Sequence, residues 1–288
     1  MIIMMKRLFF QLASVMFVAM LAVSCENSVE GAAKELLGLA RSEYVAGNFN
    51  VAKFYIDSLS VEYPKAYKTR REAELLRREV LLKEKERDVL FYEESLQLLK
   101  VRRDSIVKSF NYSKDSRYQD DGVYTVPSQA VSLNPYNSFL RASVKENGDA
   151  YLTSLYRGKR ISHKCVKVSS GDSFVECSSP FLTRSYKELG VFNERVDFKY
   201  GADGGIMDFI AASSGPFKVE LSGGTQSYGY VLRHDDVLAI SQIIELSKIL
   251  KSIVETKYMS DEAKRALEFL KRSQERSAAA RAKDAAEK

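Results

Sequence analysis

Apolar positions recur with two different periods along this chain, and the change of period divides it. Between Glu30 and Pro64, Leu36, Leu39, Ala40 and Tyr44 fall at helical spacing, and Phe49, Ala52, Ile56 and Leu59 form a second stripe. Gly47-Asn48 interrupts the two stripes and Pro64 ends them, which predicts a helical hairpin. From Lys68 to Phe110 there is neither Pro nor Gly, and strong helix formers dominate. Leu75, Leu82, Val89 and Leu96 recur at every seventh position, and Leu99 and Ile106 extend the stripe. The segment predicts one helix about 60 Å long. A narrow stripe with charged flanks suits a coiled coil, although Arg78 and Lys85 occupy the companion row. The other reading is a long helix laid on the hairpin along one face. Either gives an extended rod.

Residues 111–137 have no helical period, contain two prolines and are rich in polar side chains, so they read as a linker. From Ser138 the period changes to two. SFLRASVK, AYLTSLYR, RISHKCVKVSS and FVECSS alternate, separated by Glu146-Asn147-Gly148-Asp149, Gly158-Lys159 and a Ser-Gly-Asp turn. Asn-Gly between alternating runs signals a hairpin, and four such strands predict an antiparallel meander. Phe217, Val219 and Leu221, then Gly223-Gly224, then Tyr228, Tyr230 and Leu232 predict a further hairpin. Gly205 to Ser213 reads as a short helix with Ile206, Phe209 and Ile210 on one face and Gly215 beyond it. Asp235 and Asp236 suit a helix N-terminus, and a helix is expected from there to about Tyr258. Its apolar residues, Val237 to Ile253, are too many for a narrow stripe, so it should lie buried across the sheet. Ser260-Asp261 would cap a final helix, and Ser277 to Lys288 would fray. The expected fold is α+β: a helical part over 25–110, then an antiparallel α+β domain over 138–258, then a C-terminal helix and tail over 259–288.

The first 25 residues follow other rules. Lys6 and Arg7 precede a run, Leu8 to Val23, that is apolar except for Gln11 and Ser14. It is shorter than the roughly 20 apolar residues a spanning helix needs, and a basic start, an apolar middle and small residues at the end describe a secretory signal. Ala22-Val23-Ser24-Cys25 resembles the lipobox of bacterial lipoproteins, with Leu21 one place further back than the usual leucine. The resemblance implies that residues 1–24 are a signal peptide and that Cys25 is the lipidation site. It also implies a protein anchored to a cell-envelope membrane, facing the periplasm or the surface. Each buried methylene contributes about 0.8 kcal/mol, so two or more chains on Cys25 hold stably.

Glu30 to Pro64 also resembles a tetratricopeptide repeat. Ala40 and Ala52 match its small contact positions, Gly47 and Phe49 its turn, and Pro64 its terminator; Glu43 and Leu59 depart from the pattern. The Tyr63-Pro64 ending is similar to helical repeats of outer-membrane assembly lipoproteins. An ordinary helical hairpin accounts for the same residues.

Composition narrows the function. The formal charge is +6 and falls with the removal of Lys6 and Arg7; basic residues are spread among many acids, so no nucleic-acid footprint is expected. Cys165 and Cys177 flank the Ser-Gly-Asp turn. A three-residue loop would set them opposite each other, as a disulfide requires, whereas a Gly-Asp loop sets Val166 opposite Cys177 and Val168 opposite Val175. The second pairs more apolar side chains, which favours two free, half-buried thiols, with a cross-strand disulfide of Cys165 and Cys177 as the alternative. His163 shares an alternation with Cys165, but no further ligand or orienting group accompanies them, so His163 reads as a strand-surface residue. His234 reads as a turn residue. Asp203-Gly204-Gly205 and Ser222-Gly223-Gly224-Thr225 do not fit phosphate-binding spacings. Tyr124, Tyr136, Tyr151, Tyr156, Tyr228 and Tyr230 offer a stacking surface if the strands gather them. No catalytic, metal or cofactor site is expected. The expectation is a non-enzymatic envelope lipoprotein with a scaffold or protein-interaction role, its partner another envelope protein. The alternative is a binding module for a ligand, peptide or glycan on the exposed sheet face.

Overall fold

The computed structural model describes residues 29–286 apart from Pro135 and Ser214, so the expected lipidation site Cys25 lies outside the described residues. The protein is α+β, with five α-helices and two antiparallel sheets among the described residues. It divides into two compact units: one ends at Tyr92 and resumes at Met259, and the other is Glu93–Tyr258.

The first unit contains α1 (29–45), α2 (Phe49–Glu62), the start of α3 (Tyr67–Ile106) and the end of α5 (His234–Ala286). Ala33, Leu37, Ala40, Ala52, Ile56, Leu59, Ala73, Leu76 and Val80 form its core. Alanine at the crossing points lets helix axes approach closely. Gly47 supplies the positive φ, 80°, that turns α1 into α2. Lys53 of α2 bonds Glu84 of α3 at 2.8 Å with both side chains largely covered.

The second unit is built from ten strands. β1 (Asn111–Ser113), β2 (Val123–Thr125), β3 (Phe139–Lys145), β4 (Ala150–Gly158), β7 (Leu182–Glu188) and β8 (Val191–Lys199) form sheet A in the order β1-β2-β3-β4-β8-β7. β5 (Cys165–Ser170), β6 (Ser173–Cys177), β9 (Lys218–Gly223) and β10 (Gln226–Val231) form sheet B in the order β10-β9-β5-β6. Leu140, Ala142, Val144, Leu152, Val196 and Phe198 of sheet A share one core with Val166, Val168, Val219 and Leu221 of sheet B. α4 (Ile206–Ala212) adds Ile206, Met207 and Ile210, and α5 adds Ala239, Ile240, Ile243, Ile244, Leu246 and Leu250. This explains the excess of apolar residues early in α5.

Four expectations are corrected. The four-strand meander does not form: β3 and β4 pair, but the neighbour of β4 is β8, and the chain crosses to sheet B before β5. Residues 111–137 are not a free linker, since β1 and β2 extend sheet A. Buried Gln129 continues the edge: its amide donates to the Leu140 carbonyl and accepts from the Ala142 N–H, both at 2.9 Å. A side-chain amide thus replaces a strand residue. α5 does not stop near Tyr258 and restart at Ser260; one helix runs from His234 to Ala286, and the expected fraying from Ser277 is absent over that range. No Gly or Pro follows Gly229, so nothing in the sequence breaks it.

The β7–β8 hairpin carried no strong signal. Leu189 and Gly190, with φ of 49° and 84°, make its two-residue turn, which matches the twist of the flanking strands.

Candidate functional site

The chain passes from sheet A to sheet B through residues 159–164, and a single carboxylate organises this crossing. Glu194 on β8 sits beside Tyr156 of β4 on the inner face. It accepts the backbone N–H groups of Ile161 at 2.9 Å, Ser162 at 2.8 Å and His163 at 2.9 Å. Three successive amides converge because Ser162 takes a left-handed φ of 52°, which folds the backbone into an anion-binding concavity. The His163 Nδ1 lies 2.9 Å from Glu194, and its Nε2 lies 3.1 Å from the Ser154 hydroxyl. Tyr156 adds a bond from its hydroxyl to the Lys159 carbonyl, 2.8 Å.

His163 is therefore a buried residue and not a strand-surface one. It precedes β5, and the Ser162 turn rotates its ring towards Glu194 and Ser154, away from the alternation it shared with Cys165. Burial pushes its pKa down, against the hydrogen bond and charge of Glu194. Burial alone would push the Glu194 carboxyl up, but the His163 ring and the three amides hold it below its ordinary value.

Ser154, His163 and Glu194 have the connectivity of a nucleophile, a base and an orienting acid. Their setting does not suit that chemistry. Ser154 is fully buried, and neither the groove on the outer side of sheet B nor the one beside Arg160, Lys164 and Cys165 is lined by Ser154 or His163. The backbone amides nearby, which would have to bind a developing oxyanion, are already occupied by Glu194. The group acts as a clamp on the crossing.

Cys165 and Cys177 are free, the first half-buried and the second buried. Val166 faces Cys177 and Val168 faces Val175, the register of the Gly-Asp turn. Burial raises the pKa of the Cys165 thiol, the reverse of what an activated nucleophile needs. Among the described residues no group of three or more His, Cys, Asp or Glu is placed to hold a metal. No described helix is long and apolar enough to cross a membrane.

The tyrosines do not form one patch. Tyr156, Tyr228 and Tyr230 stack in sequence, with ring centroids 5.1 and 6.0 Å apart. Tyr124 packs on Tyr112 at 5.0 Å. Tyr151 contacts Phe181, and Tyr136 lies over the Arg157 guanidinium.

What remains open is the outer side of sheet B. A groove of about 570 Å³ runs over it, lined by Lys167, Phe174, Lys218, Glu220, Gly229 and Val231 among others. Lys167 lies over the Phe174 ring at 4.2 Å. The groove ends at β10, the sheet's edge. The Leu232 N–H donates to the Phe217 carbonyl at 2.8 Å, so by antiparallel alternation Tyr230 and Tyr228 bond to β9. Ser227, Gly229 and Val231 then point their backbone groups outward. Sequence reading identified this hairpin but not its position at an edge.

The other edges differ. β1 has three residues, and β7 carries Arg184, Lys187 and Glu188. Beside β6, the chain at Gly204 comes so close that an added Cβ would overlap the Glu176 carbonyl. Short length, charge and cover are the usual protections of an edge, and β10, Gln-Ser-Tyr-Gly-Tyr-Val, has none of them.

No protein-family model matches the chain, and no curated protein or solved structure matches it.

Proposed function

We propose that this chain is a non-enzymatic binding protein of the bacterial cell envelope, held to a membrane by lipid on Cys25. Its partner is another envelope protein, an extended segment of which pairs with β10 and lays alternate side chains into the groove on sheet B. The observation that carries this reading is the unprotected six-residue edge of β10 beside that groove. Strand addition uses backbone hydrogen bonds for affinity and side-chain pockets for selectivity. The lipobox-like AVSC supplies the anchor half of the reading. The buried state of Ser154 and the raised pKa of Cys165 disfavour an enzyme built on either.

The test is photo-crosslinking of the full-length chain in its native membrane, with the reactive residue at Ser227 on β10 or, as control, at Leu189, 93% exposed in the β7–β8 turn and outside the groove. Ser227 should capture one discrete partner that Leu189 does not, and Val231→Lys should weaken the capture. Equal labelling from both positions would sink the proposal.

A further inference from the structure

The outer face of sheet A gathers arginines that are far apart in sequence. One row across the sheet reads Arg141, Thr153, Asp197, Leu182; the next reads Phe139, Leu155, Arg195, Arg184. Arg195 and Arg184 stand directly opposite each other on β8 and β7. Like charges in that relation repel. The one carboxylate among these eight residues, Asp197, is already engaged: Arg195 Nε lies 2.9 and 3.0 Å from its two oxygens, and the Thr153 hydroxyl donates to it at 2.5 Å. Asp197 thus offsets Arg195, and among the described residues neither Arg141 nor Arg184 makes an ion pair. The Arg141 Nε is enclosed and has no hydrogen-bond partner. A buried donor without a partner is costly, and burial together with Arg195 disfavours the Arg141 charge more than nearby Asp197 favours it. Three guanidinium groups and one carboxylate leave these two rows with a net charge of +2, with the small Thr153 between Arg141 and the Arg195–Asp197 pair.

We infer that this face is an anion-binding site for a phosphate group, with Arg141 and Arg184 supplying the charge and Arg195 a fixed fork held by Asp197. Two net positive charges match a phosphate dianion better than a single carboxylate, and planar guanidinium forks suit its oxygens. Tyr186, 60% exposed on the same face of β7, extends the site beside Arg184. The phosphate belongs either to a small soluble molecule or to a lipid headgroup. This inference is independent of strand addition at β10, since it uses the other sheet.

The full chain is titrated calorimetrically with inorganic phosphate, and in parallel with vesicles of phosphatidylcholine alone or containing phosphatidic acid. Wild type should bind phosphate saturably. Arg141→Gln and Arg184→Gln, checked for intact folding by circular dichroism, should each weaken it about tenfold or more. Vesicle binding that needs phosphatidic acid and is displaced by phosphate supports a headgroup; phosphate binding without vesicle binding supports a soluble ligand. No binding in either arm, or equal binding by wild type and the exposed variant Arg184→Gln, overturns the site.

Discussion

Glu194 shows how much one buried charge can organise. A carboxylate away from water costs several kcal/mol unless its oxygens are satisfied, and here three amides and an imidazole satisfy them. Replacing it with Gln keeps the shape but removes the charge that the amides face, and Glu194→Gln should cost about 3 kcal/mol in urea unfolding at neutral pH. The pH dependence follows from the two shifts. His163 is held below its ordinary 6.5, so the unfolded chain takes up its proton first and stability falls as pH drops through and below that value. Glu194 is held below its ordinary 4.5, so its contribution is present above 4.5 and is lost as pH falls through the lower folded value. The gap between wild type and Glu194→Gln should therefore narrow in acid; a gap constant down to the acid unfolding limit would contradict the clamp. Nothing in the sequence marked Glu194, because its partners lie more than thirty positions away and the turn that gathers them depends on a left-handed serine. Gly223 belongs to the same junction: an added Cβ there would overlap the Ser162 carbonyl.

Elements were legible where they carry their own periodicity and punctuation. Gly148 takes φ 87° in the β3–β4 turn, and an added Cβ would come within 2.6 Å of Lys251 on α5. The Asn-Gly signal there was therefore enforced by packing as well as by turn geometry. The β7–β8 hairpin was not legible, since β7 is exposed along its whole length and shows no apolar alternation. Its turn also places leucine where side chains are disfavoured. Leu189→Asn should stabilise the chain by about 1 kcal/mol in urea unfolding, because Asn tolerates the left-handed region that Leu189 occupies. An unchanged midpoint would argue against that turn conformation. β1, β2 and Gln129 were hidden for a related reason: short segments, and an edge completed by a side chain, leave no period to read.

For the whole molecule, the decisive expectation is the address. Wild type expressed in a bacterium should carry a mass increment of thioether-linked lipid and partition with membranes, and Cys25→Ser should lose both. A soluble, unmodified wild type would remove the anchor and the envelope partner with it, while the arginine-face test would still stand. The sequence by itself determined the α+β class, the helical hairpin, the long helix after it and the buried start of α5, and it favoured the free-thiol register of β5 and β6. All of these follow from local period, turn residues and the pairing of near neighbours. Only the tertiary structure decided that β4 turns to β8 instead of β5, that β10 is an open edge, and that Arg141, Arg184 and Arg195 share one face. Those outcomes depend on which strands meet across long stretches of chain, and no local pattern encodes a partner so far away.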